Sequence, residues 1–482
     1  MGLLAESEKY NYKRQLQEAL EQLKAEKRKN SKLLSQLTTS SETGLPNSVV
    51  LHQQLNTLLE ADEQPKAVMF VALNENYGIL KRTFNTNIPE WILYQTSLRL
   101  QKMVGNEGFT FHTHEDEFLV LLKLNSLEVP FEQFARQLVE YVEKTHAMAG
   151  STISLGVNLG IALYPEHGKK KATLLRNADI ALSEAIKEKV PVKIFSPELK
   201  DSIVDRAEIQ NGLLLALESQ ASLEEKPQLE LFFHPQVKID RTSQGWKGSV
   251  LGAETLIRWK HPTKGYIPPS SFIPIAEETG LIIPLGHWIL HSSIAYLMDL
   301  QANGYKHQTL SVNFSSIQFQ HEDITGMVQD IVKRRGLNPN LLKIELTESG
   351  LMRNFQEIIV KMKELRAAGY RILIDDFGTG YSSLSYLKDL PIDVVKIDKS
   401  FVDEVTRRQN DQALTKAIIT LAKDLNLGII VEGTESREQI EWLYERGCDT
   451  FQGYFFSKPL PYVDYLAFLK NFPKIFAEKF PN

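Results

Sequence analysis

Only one of the 482 residues is a cysteine, Cys448. A single thiol excludes an intramolecular disulfide framework and suits a reducing compartment, so a cytoplasmic location is expected. No uninterrupted apolar run approaches the roughly 20 residues that span a bilayer, and the N-terminus lacks the apolar core of a signal peptide. The Met1-Gly2 start is not a myristoylation signal, because Glu6 stands where that signal takes Ser or Thr. A soluble chain without membrane contact is therefore expected. The net charge of −5 and pI near 6.2 leave no overall basic surface, so no nucleic-acid polymer is expected as a partner. With 43% apolar residues over this length, two or more domains are the default.

What the chain does contain falls into segments of different texture. Residues 1–38 are predicted as a helix: from Ser7 to Leu37 the sequence is charged, free of Gly and Pro, and carries Leu16, Leu20, Leu23, Leu34 and Leu37 near a 3-4 spacing. That pattern favours a coiled-coil seam, weakened by Lys27 and Asn30, and reads as a short parallel dimer or signalling helix at the end of a longer relay, with a solvated single helix as the alternative. Residues 39–197 alternate strand-like runs (Ala67 to Leu73, Phe109 to Phe111, Phe118 to Leu122, Val157 to Leu163) with helical patterns, as an α/β sandwich does. A polar linker helix is predicted over 198–222.

Residues 223–482 hold eight strand-like runs, most followed by a helical pattern: Leu229 to Val237, Val250 to Trp259, Thr309 to Ser315, Leu342 to Glu348, Arg371 to Phe377, Val394 to Phe401, Gly428 to Glu435 and Thr450 to Ser457. This is the measure of a TIM-like (β/α)8 barrel, whose active site lies at the carboxyl ends of the strands. In or at the ends of these runs stand Glu254, Asn313, Glu345, Glu348, Asp375, Asp376, Lys396, Glu432, Glu435 and Gln452. One acidic strand end is usually a solvated cap. Acidic or amide groups on six of eight strands point instead to one polar mouth. Oxygen donors without a Cys or His cluster indicate a hard cation, Mg²⁺, Mn²⁺ or Ca²⁺. So many carboxylates exceed the needs of one ion, and a two-metal site is the usual solution for splitting a phosphodiester. Lys396 reads either as a counter-ion or as a group that orients water or phosphate.

The run Glu254-Thr255-Leu256-Ile257-Arg258-Trp259, with His261-Pro262, Phe272 to Glu277, Val312 to Ser315, Glu345-Leu346-Thr347-Glu348, the DDFGTGYSSL stretch from Asp375, Lys396-Ile397-Asp398, Glu432-Gly433-Thr434-Glu435 and Gln452-Gly453-Tyr454, resembles the EAL phosphodiesterase family in order and spacing. The resemblance covers the chain from about Arg206 to Phe472. It implies hydrolysis of cyclic di-GMP to linear pGpG with two Mg²⁺ or Mn²⁺ ions, and inhibition by Ca²⁺. It also implies roles: Glu254, Asn313, Glu345, Asp375, Asp376 and Glu432 as metal ligands, and Glu432 as general base. Lys396 and Gln452 would position the water and its surroundings, and Arg258 would grip a substrate phosphate. Glu348 and Glu435 would support the loop Gly378 to Leu384, which couples the site to a homodimer contact. Thr255 departs from the signature alanine, and its hydroxyl is expected to disturb the Glu254 rotamer and lower the rate. Val431 and Thr434 are further departures, and none removes a ligand.

Residues 39–197 resemble a GGDEF diguanylate cyclase domain less faithfully. Thr43-Gly44-Leu45-Pro46-Asn47 and Leu174 to Asp179 match that family, but the signature turn reads His114-Glu115-Asp116-Glu117-Phe118. Both glycines that let backbone approach GTP phosphates are gone, and Glu115 adds bulk and negative charge there. Asn74, Glu75 and Asn76 stand in the metal-binding strand where the family places aspartates, and Gly105 and Gly108 replace the product-inhibition motif. No cyclase activity, no inhibitory site and no GTP binding are expected, leaving a regulatory and dimerising domain. His112 and His114 lack further Cys or His partners and are not expected to hold a metal. Asp376-Phe377-Gly378 spells a kinase metal motif, but no HRD loop accompanies it. Two readings stand: a cyclic di-GMP phosphodiesterase, and a receptor that binds this ligand without turnover. The complete ligand set favours the enzyme.

Overall fold

The protein is described from a computed structural model. The structure describes residues 20–481 apart from 25, 28, 30–33, 35–36, 61–63, 84–86, 145, 149–150, 154, 220–226, 321–322, 352–354 and 379–389. Most of the expected coiled coil, and its Leu16, lie outside the described residues. Of its other leucines, Leu20, Leu23, Leu34 and Leu37 are helical and exposed. The chain divides into two compact units, Met1–Asp205 and Arg206–Asn482.

The first unit is a three-layer sandwich around five strands: β1 (Lys66–Leu73), β2 (Gly108–His114), β3 (Glu117–Lys123), β4 (Val157–Tyr164) and β5 (Val192–Ile194), in the order β2-β3-β1-β4-β5. Alternation along β1 explains the layers, because successive side chains point to opposite faces. Ala67, Met69 and Val71 join one core with helices Asn87–Val104 and Phe131–Val142, while Val68 joins another with helices Ser48–Glu60 and Lys171–Glu188.

The second unit is a closed eight-stranded barrel: β6 (Leu229–Thr242), β7 (Gly245–His261), β8 (Thr309–Phe314), β9 (Leu342–Thr347), β10 (Arg371–Phe377), β11 (Val394–Ile397), β12 (Gly428–Glu432) and β13 (Thr450–Gln452). Strands β7 to β13 run parallel to their neighbours, and β6 closes the ring antiparallel to both β7 and β13. This is a departure from an all-parallel barrel. The cause is local: β6 and β7 join at Ser243 and Gln244 with Thr242 opposite Gly245, and a tight turn forces the antiparallel direction, whereas a parallel pair needs a long crossover. Outward residues such as Val312, Ile344, Ile374, Val395 and Val431 pack in one large core with the surrounding helices. Helix Pro197–Ser219 contributes Leu213 and Ala216 to that same core. Among the described residues, no helix is long and apolar enough to cross a membrane.

Candidate active site

Every second residue of a barrel strand faces the interior. At the mouth, register sets Asn313 (β8) opposite Glu345 (β9) and Glu432 (β12) opposite Gln452 (β13), while Glu254 (β7) lies opposite Ser311, Asp375 (β10) opposite Thr347 and Lys396 (β11) opposite Ile430, a stagger across which the inward side chains still converge. The structure thus brings together the residues expected from strand ends. Asp376 needs a further device, since strict alternation would send the neighbour of Asp375 to the opposite face. The register of β10 against β11 shifts between Ile374 and Phe377, and Asp376 adopts a left-handed backbone with φ of 54°. A non-glycine residue there is uncommon, although Asp tolerates it. Its carboxylate thereby joins those of Asp375 and Glu432, whose ligand oxygens all lie within 4.8 Å of one another.

Lys396 stands at the centre, fully buried. Its Nζ lies 2.8 Å from Glu432 Oε1, 3.0 Å from Glu345 Oε2, 3.0 Å from Asp375 Oδ1 and 3.1 Å from Glu254 Oε2. Burial alone would lower the lysine pKa, but the surrounding carboxylates outweigh it and hold the ammonium well above its ordinary value. Burial raises the carboxyl of Glu254 too, yet Lys396 and hydrogen bonds from Gln452 Nε2 (2.5 Å) and Asn313 Nδ2 (2.7 Å) leave it below the usual range. The opposite outcome holds elsewhere. Burial pushes Glu345 up to about 7 and Glu432 up to about 8 against the pull of Lys396, and raises Asp376 with help from Asp375.

Two oxygen clusters result: Glu254, Glu345 and Asp375, and Asp375, Asp376 and Glu432. They share Asp375. All donors are hard oxygens, and the carboxylates outnumber the one ammonium among them, so the residues fit hard divalent cations. Arg258 lies beside the mouth, half-buried. Its guanidinium stands over the Phe232 ring and donates to the Ile257 carbonyl, and burial lowers its pKa. A cavity of about 450 Å³ opens next to Asn313, and Leu256, Ile257, Pro269 and Ile273 line its apolar side.

Residues 217–459, half of the chain, match the EAL domain. The chain belongs to the EAL domain family. Residues 39–190 match the diguanylate cyclase GGDEF domain, so a GGDEF domain precedes the EAL barrel. The bifunctional diguanylate cyclase/cyclic di-GMP phosphodiesterase MucR of Pseudomonas aeruginosa is 31% identical over 91% of this chain and 63% of its own length. The cyclic di-GMP phosphodiesterase PdeR of Escherichia coli is 30% identical over 93% of this chain and 66% of its own length. The chain spans about half to two thirds of the length of the curated relatives it matches. Among solved structures, the EAL enzyme Bd1971 in its cGMP-bound form is 28% identical, with a TM-score of 0.51 over 67% of this chain and 84% of that chain.

The EAL barrel also holds site residues that the strand-end rule misses. Because β6 runs backwards, His234 lies opposite Glu254 and its Nδ1 is 3.2 Å from Gln452 Nε2. Burial pushes this imidazole down to about 4, so it is neutral at physiological pH. Gln236, Ser311 and Lys343 are buried one pleat deeper. Glu348 Oε2 accepts a hydrogen bond from Gly378 N at 2.8 Å, whereas Glu435 Oε1 accepts from Lys399 Nζ at 2.6 Å. Residues 379–384 of the expected coupling loop lie outside the described residues. The Thr255 hydroxyl does not engage Glu254: its Oγ1 donates to the Ser311 carbonyl at 2.8 Å, while the Glu254 carboxylate is held by Asn313, Lys396 and Gln452.

In the GGDEF unit, His114 ends β2, Glu115 and Asp116 form the turn, and Glu117 and Phe118 open β3. The Glu115 side chain is 77% exposed and pairs with Lys81. Asp116 spends its carbonyl on Leu73 N at 2.9 Å, and Thr113 Oγ1 donates to Glu117 Oε1 at 2.9 Å. Burial raises the Glu117 carboxyl.

Proposed function

We propose that the EAL barrel hydrolyses cyclic di-GMP to linear pGpG with Mg²⁺ or Mn²⁺, two ions per site, and that the GGDEF unit regulates it without making cyclic di-GMP. The observation that carries this reading is the pair of oxygen clusters sharing Asp375. Glu254, Asn313, Glu345, Asp375, Asp376 and Glu432 would hold the ions, which supply Lewis-acid charge to the scissile phosphate and acidify the attacking water.

The chain's own groups do the rest. Arg258, which forms no ion pair among the described residues, offers its guanidinium to a phosphate. The apolar cavity beside Asn313 is suited to a purine face. Glu432 takes the proton of the attacking water, its carboxylate held by Lys396 Nζ at 2.8 Å and Gln452 Nε2 at 3.3 Å. Lys396 holds Glu432, Asp375, Glu345 and Glu254 at fixed spacing and offsets their repulsion. Gln452 donates to Glu254 and Glu432 and keeps both oriented.

For the GGDEF unit, the exposed Glu115 at the turn and Asn74 at the end of β1 support the absence of cyclase activity. The exposed Leu20, Leu23, Leu34 and Leu37 support a homodimer through the N-terminal helix. Incubation of the full chain with cyclic di-GMP and Mn²⁺ should yield pGpG, and Glu254→Ala or Glu432→Ala should abolish it. The same chain with GTP and Mg²⁺ should yield no cyclic di-GMP. Binding of cyclic di-GMP with no product over hours at saturating Mn²⁺ would replace the enzyme with the receptor.

A further inference from the structure

Beneath the mouth, Ser311 lies two residues before Asn313, Lys343 two before Glu345, and Ser311 is opposite Lys343 in the β8–β9 ladder. Lys343 is only 6% exposed and makes no ion pair among the described residues. Burying an ammonium is costly where an apolar side chain would fill the space. Its Nζ instead donates to Gln236 Oε1 at 3.0 Å.

An ammonium can only donate. Gln236 must therefore turn its oxygen to Lys343 and its NH₂ the other way, where it donates to Gln452 Oε1 at 3.1 Å and reaches Ser311 Oγ at 3.5 Å. Gln452 is constrained in turn. With its oxygen occupied, its NH₂ faces Glu254 Oε2 at 2.5 Å, Glu432 Oε1 at 3.3 Å and His234 Nδ1 at 3.2 Å. An amide has two orientations of nearly equal shape. The obligate donor at the base removes the wrong one at both glutamines, since a flipped Gln452 would set its carbonyl oxygen against two carboxylates.

We propose that Lys343 and Gln236 are positioning residues: a one-way chain of donors runs from Lys343 through Gln236 to Gln452 and fixes which face of the Gln452 amide meets Glu254 and Glu432. The kinetic consequence rests on the phosphodiesterase reading, while the orientation of Gln452 does not. Gln236→Glu is the sharpest variant, because it keeps the shape and the Lys343 contact but offers Gln452 only acceptors, reversing the chain.

In the full-length protein, Gln236→Glu should weaken Mn²⁺ binding, read by electron paramagnetic resonance, by about 10–100-fold, the range for groups that orient metal ligands. It should lower kcat/KM for cyclic di-GMP by a similar factor. In ¹⁵N–¹H spectra the Gln452 side-chain amide, assigned against Gln452→Ala, should shift. Gln236→Leu, which keeps the Lys343 charge, should move the same resonance and serves if the glutamate variant does not fold. Unchanged Mn²⁺ affinity with an unmoved Gln452 amide in a folded Gln236 variant overturns the proposal. So does an effect confined to Lys343→Met, which would make bare charge the cause. If the wild type forms no product, the enzyme reading fails, and the amide shift and Mn²⁺ affinity still decide the donor chain.

Discussion

Lys396 Nζ lies 2.8 Å from Glu432 Oε1, the shortest of the contacts that tie one buried ammonium to carboxylates on four strands. Removing one partner of a buried pair leaves the other uncompensated, at a cost of about 3–5 kcal/mol. Lys396→Met should therefore destabilise the barrel by that order in urea unfolding without divalent cations. Mn²⁺ should restore most of the loss, because it supplies positive charge to the same oxygens. A deficit that Mn²⁺ leaves untouched would argue that these carboxylates do not form a metal site.

The protonation of Glu345 and Glu432 gives a pH dependence with a defined sign. Burial raises their carboxyls to about 7 and about 8, above the roughly 4.3 of an unfolded glutamate. Between those values the folded state binds more protons than the unfolded one. Their contribution to stability is thus present in full at low pH and is lost as pH rises through about 7 to 8. Cations need the deprotonated form. Mn²⁺ affinity should accordingly rise from pH 6 to pH 8 with release of protons, which calorimetry in buffers of different ionisation enthalpy would register. An affinity that stays flat over this range would contradict the shifts.

Much of this site was legible because strand ends carry their chemistry in plain sequence. Glu254, Asn313, Glu345, Asp375, Lys396, Glu432 and Gln452 follow apolar runs that end at the mouth. His234 and Gln236 escape this rule, because it looks at carboxyl ends and β6 enters the mouth with its first half. A period-2 polar pattern was available: Glu230, His234 and Gln236 alternate with Leu229, Leu231 and Phe233, which are buried. The tight turn at Ser243 and Gln244 was the missing signal for reversal. Lys343 was hidden differently, because a lysine inside a strand reads as solvent-facing until register places it inside the barrel. The left-handed backbone of Asp376 also has no signature in composition.

Thr255 should matter to stability more than to rate. Its hydroxyl is buried and bonded to the Ser311 carbonyl at 2.8 Å, and a hydrogen bond of this kind contributes about 0.5–1.5 kcal/mol. Thr255→Ala should lower unfolding free energy by about that amount, with turnover of cyclic di-GMP nearly unchanged. A clear gain in kcat would instead revive the idea that the hydroxyl disturbs Glu254.

Glu348 lies outside both oxygen clusters, yet its Oε2 accepts from Gly378 N, two residues after Asp376. Gly378 has φ of 98°, and a side chain there would press on Phe401 and Ile418. The turn after β10 is therefore held from one side by a carboxylate and from the other by packing. Loss of the carboxylate frees the turn without touching a metal ligand. Glu348→Gln, which keeps an acceptor oxygen, should retain most turnover. Glu348→Ala should lower kcat by about tenfold or more, the scale on which supporting groups act, while Mn²⁺ affinity changes far less. Equal losses of Mn²⁺ affinity and turnover would assign Glu348 to the metal site itself, and unchanged kcat would remove it from the coupling between β10 and the loop that follows.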